Sequence, residues 1–241
     1  MKKFFLFAGI KIRLKNKIRL DKRNNNEIKF FRNLDMKQNL IEINGENNKL
    51  EIRSNIELKN VVIKLSGNNN KIVIKENSEI KDTDIIMKGE NNLIAISEST
   101  RIHKSYFFIN GKSSKIIVGK DTTIEGAKLN SQENNNEISV GEDCMFSYNV
   151  EVRNTDSHPI LNFQNKLINK GEKVIIKDRV WLGEGVTVLK GVTIEDDCII
   201  GAKSLVTKSV DKPKSLLAGI PAKIIKEEVT WRRFFDNKEI K

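Results

Sequence analysis

Between Lys173 and Val210, large aliphatic residues recur at every sixth position: Ile176, Leu182, Val188, Ile194, Ile200 and Val206. Four residues after each comes a smaller or β-branched one, Val180, Val186, Val192, Cys198, Ser204 and Val210. An α-helix would need a period of about 3.6 and a half-buried strand a period of about 2. Two interleaved six-residue series fit neither. They suit a solenoid in which each short flat side turns one large and one small residue inward, and a fixed repeat of this kind sets the architecture before local propensity has any say.

Upstream the repeat lengthens. Gly45-Glu46-Asn47-Asn48, Gly67-Asn68-Asn69-Asn70, Gly89-Glu90-Asn91-Asn92, Gly111-Lys112-Ser113-Ser114 and Glu133-Asn134-Asn135-Asn136 start 22 residues apart, and the inward series Phe30, Ile52, Ile74, Ile96, Val118 and Val140 keeps step. A coil here divides as 6 + 6 + 10, a triangle with extra residues at one corner, which predicts a ladder of stacked loops. Glycine and asparagine belong at such a reversal because they accept a positive φ. Asparagines in register can also hydrogen-bond along the column, and the comb they form is a second, glycan-binding reading. On the remaining side Glu42, Lys64 and Asn130 fall on nominal inward positions, so the pattern predicts a slip of one residue to Ile43, Ile63 or Leu129.

Three regions escape the repeat. Residues 1–29 are basic and are expected to cap the solenoid, which spans 30–211; a C-terminal extension covers 212–241, with a short amphipathic helix expected from Lys223 to Phe235. The third is the interval of 24 residues from Val152 to Ile176, too long for the side it replaces. It predicts a projecting loop at about 153–173, where a rigid scaffold would hold binding or catalytic groups.

Composition narrows the function classes. No apolar run reaches the ~18 residues needed to span a bilayer. Phe4 to Ile10 is short for a secretory signal and is followed by basic residues instead of a cleavage site, so a cytoplasmic location is expected. Cys144 and Cys198 occupy small inward positions and read as buried thiols. With two histidines in separate contexts they offer no metal-ligand cluster. The net charge of +11 favours an anionic partner. Nucleic acid is disfavoured by an aromatic content of 6% and the absence of a binding motif. An anionic substrate, or peripheral contact of the basic N-terminus with an anionic membrane face, remains.

Leu182-Gly183, Ile200-Gly201-Ala202 and the run ending in Pro221-Ala222-Lys223 resemble the hexapeptide-repeat acyltransferases, most of all those that O-acetylate sugars and polysaccharides. The resemblance is strongest from Glu137 to Ile225. It implies an all-β fold, a single-stranded left-handed parallel β-helix of about eight triangular coils. It implies acetyl-CoA as donor, a sugar or glycan acceptor, and a homotrimer with sites between subunits. Segments similar to Asp156-Ser157-His158-Pro159-Ile160 carry the family's catalytic histidine. Trp181 matches a tryptophan beside the active site. Gly183, Ala202, Thr207, Lys208 and Lys223 match positions along the coenzyme A groove.

The chemistry of the residues agrees with that assignment. Moving an acyl group from a thioester to a hydroxyl requires a base that titrates near neutrality, which imidazole does, and it can return the proton to the leaving thiolate. Direct transfer needs no serine or cysteine nucleophile. Asp156 is a candidate to orient the His158 ring, Asn154 and Ser157 are candidate acceptor contacts, and Trp181, outward on its side, could stack on a sugar. His103 follows an inward isoleucine and reads as a solvated surface group. Two rival readings are an N-acyltransferase for an amino sugar and a non-enzymatic glycan-binding solenoid.

Overall fold

The computed structural model describes residues 4–6, 11–12, 16–21 and 24–234. Among these the chain is all strand and turn, wound into three parallel sheets that form the faces of a triangular solenoid. The first face runs from Phe4–Leu6 to Thr193–Ile194 in nine strands, and the third from Lys17–Leu20 to Leu205–Val206, also in nine. The second runs from Lys11–Ile12 through Ile199–Ile200 and ends on Leu216–Gly219 and Ala222–Lys226.

The inward series form one continuous core. Every aliphatic of the two six-residue series is at most 3% exposed, and Cys144 and Cys198 are fully buried free thiols. The expected slip on the third face is present: Ile41 and Ile43, Ile63 and Leu65, and Leu129 point inward, leaving Glu42, Lys64 and Asn130 outside the core.

Glycines in the 22-residue coils do not make projecting loops. Third-face strands Val62–Asn68, Asp84–Glu90 and Tyr106–Lys112 run straight through them, with Gly67, Gly89 and Gly111 in register. The coils approach so closely that a Cβ on Gly67, at φ +113, would lie 2.0 Å from the Gly89 carbonyl oxygen. The asparagines just beyond turn inward. Asn48, Asn70 and Asn92 are buried, each accepting a backbone N–H from the next coil and donating to a glycine carbonyl. Their amides replace backbone pairing at the vertex, so this inner column is internal support and is inaccessible to a glycan.

Both ends differ from expectation. Phe4–Leu6, Lys11–Ile12 and Lys17–Leu20 lie within the expected cap, yet they pair in parallel with Glu27–Phe30, Leu34–Lys37 and Leu40–Asn44, adding a coil. Ile18 and Leu20 pack against the core from this coil, each partly buried. Residues 1–3, 7–10, 13–15 and 22–23 of the expected cap lie outside the described residues. At the other end there is no helix in the described part of 223–235. Ala222–Lys226 returns antiparallel along Leu216–Gly219, because the last coil presents an unpaired strand edge and Ile224 and Ile225 are β-branched residues suited to a strand. Phe235 lies outside the described residues.

Candidate active site

The interval after Val152 leaves the solenoid at the vertex between third and first faces and folds as a small hairpin, with Leu161 bridged to Leu167 and a turn held by the Asn162 side chain. Its neck is fastened to the coils on both sides. From the coil below, the Glu133 carboxylate accepts from Thr155 Oγ1 at 2.6 Å and from the Gly171 N–H at 2.8 Å, joining the two stems. From the coil above, Lys190 Nζ reaches Asp156 Oδ2 and, at 2.8 Å, the Asn169 carbonyl. Glu133 occupies the position that is glycine in the four preceding repeats and sits at φ +78. That break in the glycine column was the sequence signal for the clasp.

His158 stands exposed on this neck between Ser157, in the left-handed backbone region at φ +65, and Pro159. Asp156 makes no hydrogen bond to its ring. The Asp156 carboxylate is taken by Lys190 and by Asn169 Nδ2, and the Lys190 hydrogen bond, then that of Asn169, holds it below the usual carboxylate range. A depressed folded-state value means that the contact is fully formed above the ordinary carboxylate range and is lost only as pH falls through the lower value. The neck is therefore intact at neutral pH. Asn154 is fully buried, its side-chain amide donating to Ser131 Oγ at 2.9 Å and its main-chain carbonyl accepting from Asn136 Nδ2 and the Glu172 N–H. It supports the neck and cannot touch an acceptor. Ser157 is exposed and accepts from Gln132.

Trp181 is on another face. It lies outward on the second face, paired between Met145 and Ile199, and the C-terminal segment packs against it. Trp231 packs on it with ring centroids 6.2 Å apart, is 5% exposed, and donates from its indole to the Arg179 carbonyl at 2.7 Å. Arg179 and Arg233 place their guanidiniums over the Trp231 ring at 5.4 and 5.7 Å. Arg233 then bonds Asp143, Thr123 and the carbonyls of Asp121 and Cys144. This strap walls a groove of about 310 Å³ in which Trp181, Tyr148 and Phe234 meet Arg101. Sequence reasoning missed the strap because its partners are up to 112 residues away.

The donor candidates divide between two places. Gly183 and Ala202 share the vertex between second and third faces, and a Cβ on Gly183 would lie 2.8 Å from the Ala202 nitrogen, so close packing of coils already demands that glycine. Lys223, exposed on the returning strand, adds to the second-face sheet. Thr207 and Lys208 are exposed at the vertex between third and first faces, above Lys190 and the His158 neck. Within one chain, His158, Thr207 and Lys208 are thus separated from Trp181, Gly183 and Ala202 by a whole side of the triangle, roughly 15 Å for a strand rising ~3.3 Å per residue. His103, outward on the second face, is held between Glu79 at 2.8 Å and Glu125 at 3.2 Å.

Residues 173–208 match the family model for the bacterial transferase hexapeptide, six repeats. Over most of its length the chain is similar to the crystal structure of the polysialic acid O-acetyltransferase OatWY, at 32% identity, covering 82% of this chain and 93% of that one with a TM-score of 0.75. The chain belongs to the hexapeptide-repeat acyltransferases, and its solenoid is their left-handed β-helix. Within that family it is also similar to the structure of the polySia specific acetyltransferase NeuO, at 32% identity over 87% of this chain and 92% of that one, TM-score 0.73. The polysialic acid O-acetyltransferase of Neisseria meningitidis is 38% identical over 93 residues, which is 38% of this chain and 43% of that protein. The one from Escherichia coli O1:K1 / APEC is 37% identical over 92 residues, 38% of this chain and 30% of that protein. The chain thus matches less than half the length of these curated relatives.

Proposed function

We propose that this protein transfers the acetyl group of acetyl-CoA to a hydroxyl of an acidic surface polysaccharide, at sites shared between the subunits of a homotrimer. The observation that carries this reading is the separation of His158 from Trp181 on different sides of one solenoid, within a chain whose relatives are polysaccharide O-acetyltransferases. Coils packed side by side bring the third-first vertex of one subunit against the second face of the next. The hairpin that carries His158 also presents Ile160, Leu161, Phe163, Leu167 and Ile168 to solvent, Phe163 fully so. An exposed apolar cluster of this kind marks a surface that is covered in the assembled protein.

In the reaction His158 takes the proton of the acceptor hydroxyl as its oxygen attacks the thioester carbon. The new C–O bond forms, the C–S bond breaks, and the imidazolium returns the proton to the departing thiolate. Gly183, Ala202, Thr207, Lys208 and Lys223 line the donor path, with the two lysines facing its phosphates. Trp181, Tyr148 and Phe234 give the acceptor flat apolar surfaces. Arg101, whose guanidinium has no hydrogen bond or ion pair among the described residues, suits a carboxylate-bearing sugar. A cytoplasmic reaction is consistent with acetyl-CoA as donor, and the basic N-terminal segment suits contact with an anionic inner membrane face.

The test is thiol release from acetyl-CoA by the purified protein with polysialic acid, and with hydroxyl and amine sugars in parallel. His158→Ala should lower kcat by about 10²–10⁴-fold, the usual contribution of a general base. Undiminished turnover would remove His158 from the mechanism. Transfer to amines alone would make the enzyme an N-acyltransferase.

A further inference from the structure

The Asn169 side chain holds both ends of the segment that bears His158. Its Oδ1 accepts the Ile160 N–H at 2.6 Å, and its Nδ2 donates to the His158 carbonyl at 2.9 Å and to Asp156 Oδ2 at 2.9 Å. The amide thus pairs with the peptides on either side of Pro159 much as a strand would, although it comes from the opposite stem of the hairpin, 11 residues away. Asn169 is itself fixed, since its own carbonyl accepts from Lys190 Nζ at 2.8 Å, and Lys190 belongs to the rigid coil above. With Ser157 constrained at φ +65 before it and Pro159 after it, the position of His158 is over-determined in a loop that is otherwise solvent-exposed.

We infer that Asn169, anchored by Lys190, is a positioning residue that sets the place and direction of His158 through the loop backbone. This inference rests on the reading of His158 as the base. A base must lie within hydrogen-bond reach of the acceptor hydroxyl, and displacing a reacting group by about 1 Å can cost about 10²-fold in rate. Asn169 touches neither donor nor acceptor, so its loss should appear in kcat and leave the KM for acetyl-CoA nearly unchanged.

The test uses the full chain with acetyl-CoA and polysialic acid, and acetyl-CoA hydrolysis with water as acceptor if that polymer is not turned over. Asn169→Ala should lower kcat about 10–100-fold, with the KM for acetyl-CoA within about threefold of wild type and an unchanged melting temperature. Asn169→Asp, which keeps the acceptor for Ile160 but loses the donor to His158, should fall as far; Lys190→Met should show the same kcat-limited defect. The double variant His158→Ala/Asn169→Ala should be no slower than His158→Ala alone, because Asn169 acts through that ring. A kcat within twofold of wild type in Asn169→Ala overturns the inference, as does a loss that multiplies with that of His158→Ala. A raised KM accompanied by a lowered melting temperature also overturns it, since that would make the contact merely structural. Should His158→Ala itself retain full activity, the parent reading fails instead, and the two failures are told apart.

Discussion

At the scale of single residues, the environment of each polar group decides its role, and sequence position alone does not. Asp156 lies two residues from His158 but is spent on Lys190 and Asn169. The two cysteines show the opposite case, in which position was sufficient. Both lie on inward six-residue positions and both are buried, and burial pushes the Cys144 thiol up to about 12 and raises that of Cys198 as well. A thiol raised in this way is protonated at neutral pH and is neither nucleophile nor acyl carrier. At pH 8 a disulfide exchange reagent should therefore label no cysteine in the native protein and both after denaturation in guanidinium. Rapid native labelling with loss of acetyl transfer would contradict the direct mechanism.

Among the elements, two segments outside the repeat define the site, and they attach by different physics. The hairpin is held by hydrogen bonds at its neck and leaves its apolar side chains exposed. The C-terminal strap is held by its side chains, chiefly Trp231 buried between two guanidiniums and Trp181. Truncating Trp231 to alanine removes a large buried surface and should destabilise the protein by about 2–3 kcal/mol, a fall of roughly 5–10 °C in Tm for a chain of this size. Trp181 would then be the remaining tryptophan, and its emission should shift to the red as water reaches it. Trp231→Phe should recover most of the stability. An unchanged Tm with unshifted emission would mean that the strap does not rest on the second face in solution. The strap was unreadable beforehand because the sequence pattern of 223–235 is compatible with a helix, and the choice of a strand depends on an open edge that only the completed solenoid presents.

For the whole molecule, the proposed division of the site between His158 on one side and Trp181 on another would make activity a property of neighbouring chains. His158→Ala and Trp181→Ala chains, each inactive alone, should restore turnover when refolded together. In a cyclic trimer mixed at random, three-quarters of the assemblies contain both chains and each of those has one intact site in three, so about a quarter of wild-type activity is expected. No recovery in verified mixed trimers would place both residues of a site on one chain. Much of this organisation was legible in the sequence, since the six-residue and 22-residue periods specify which side chains face inward at almost every coil. A solenoid repeats its contacts locally, each coil meeting only its neighbours, so periodicity in the chain becomes geometry directly. The third-face strands that run through the glycines, the extra N-terminal coil, the strap and the neck that aims His158 were decided by tertiary structure. Each depends on contacts between segments outside the repeat, or on how closely stacked coils approach, and neither is encoded by a period. The sequence by itself determined the scaffold and offered His158 as a candidate base; only the folded molecule decided which contacts hold the segment that bears it, because their partners come from separate coils.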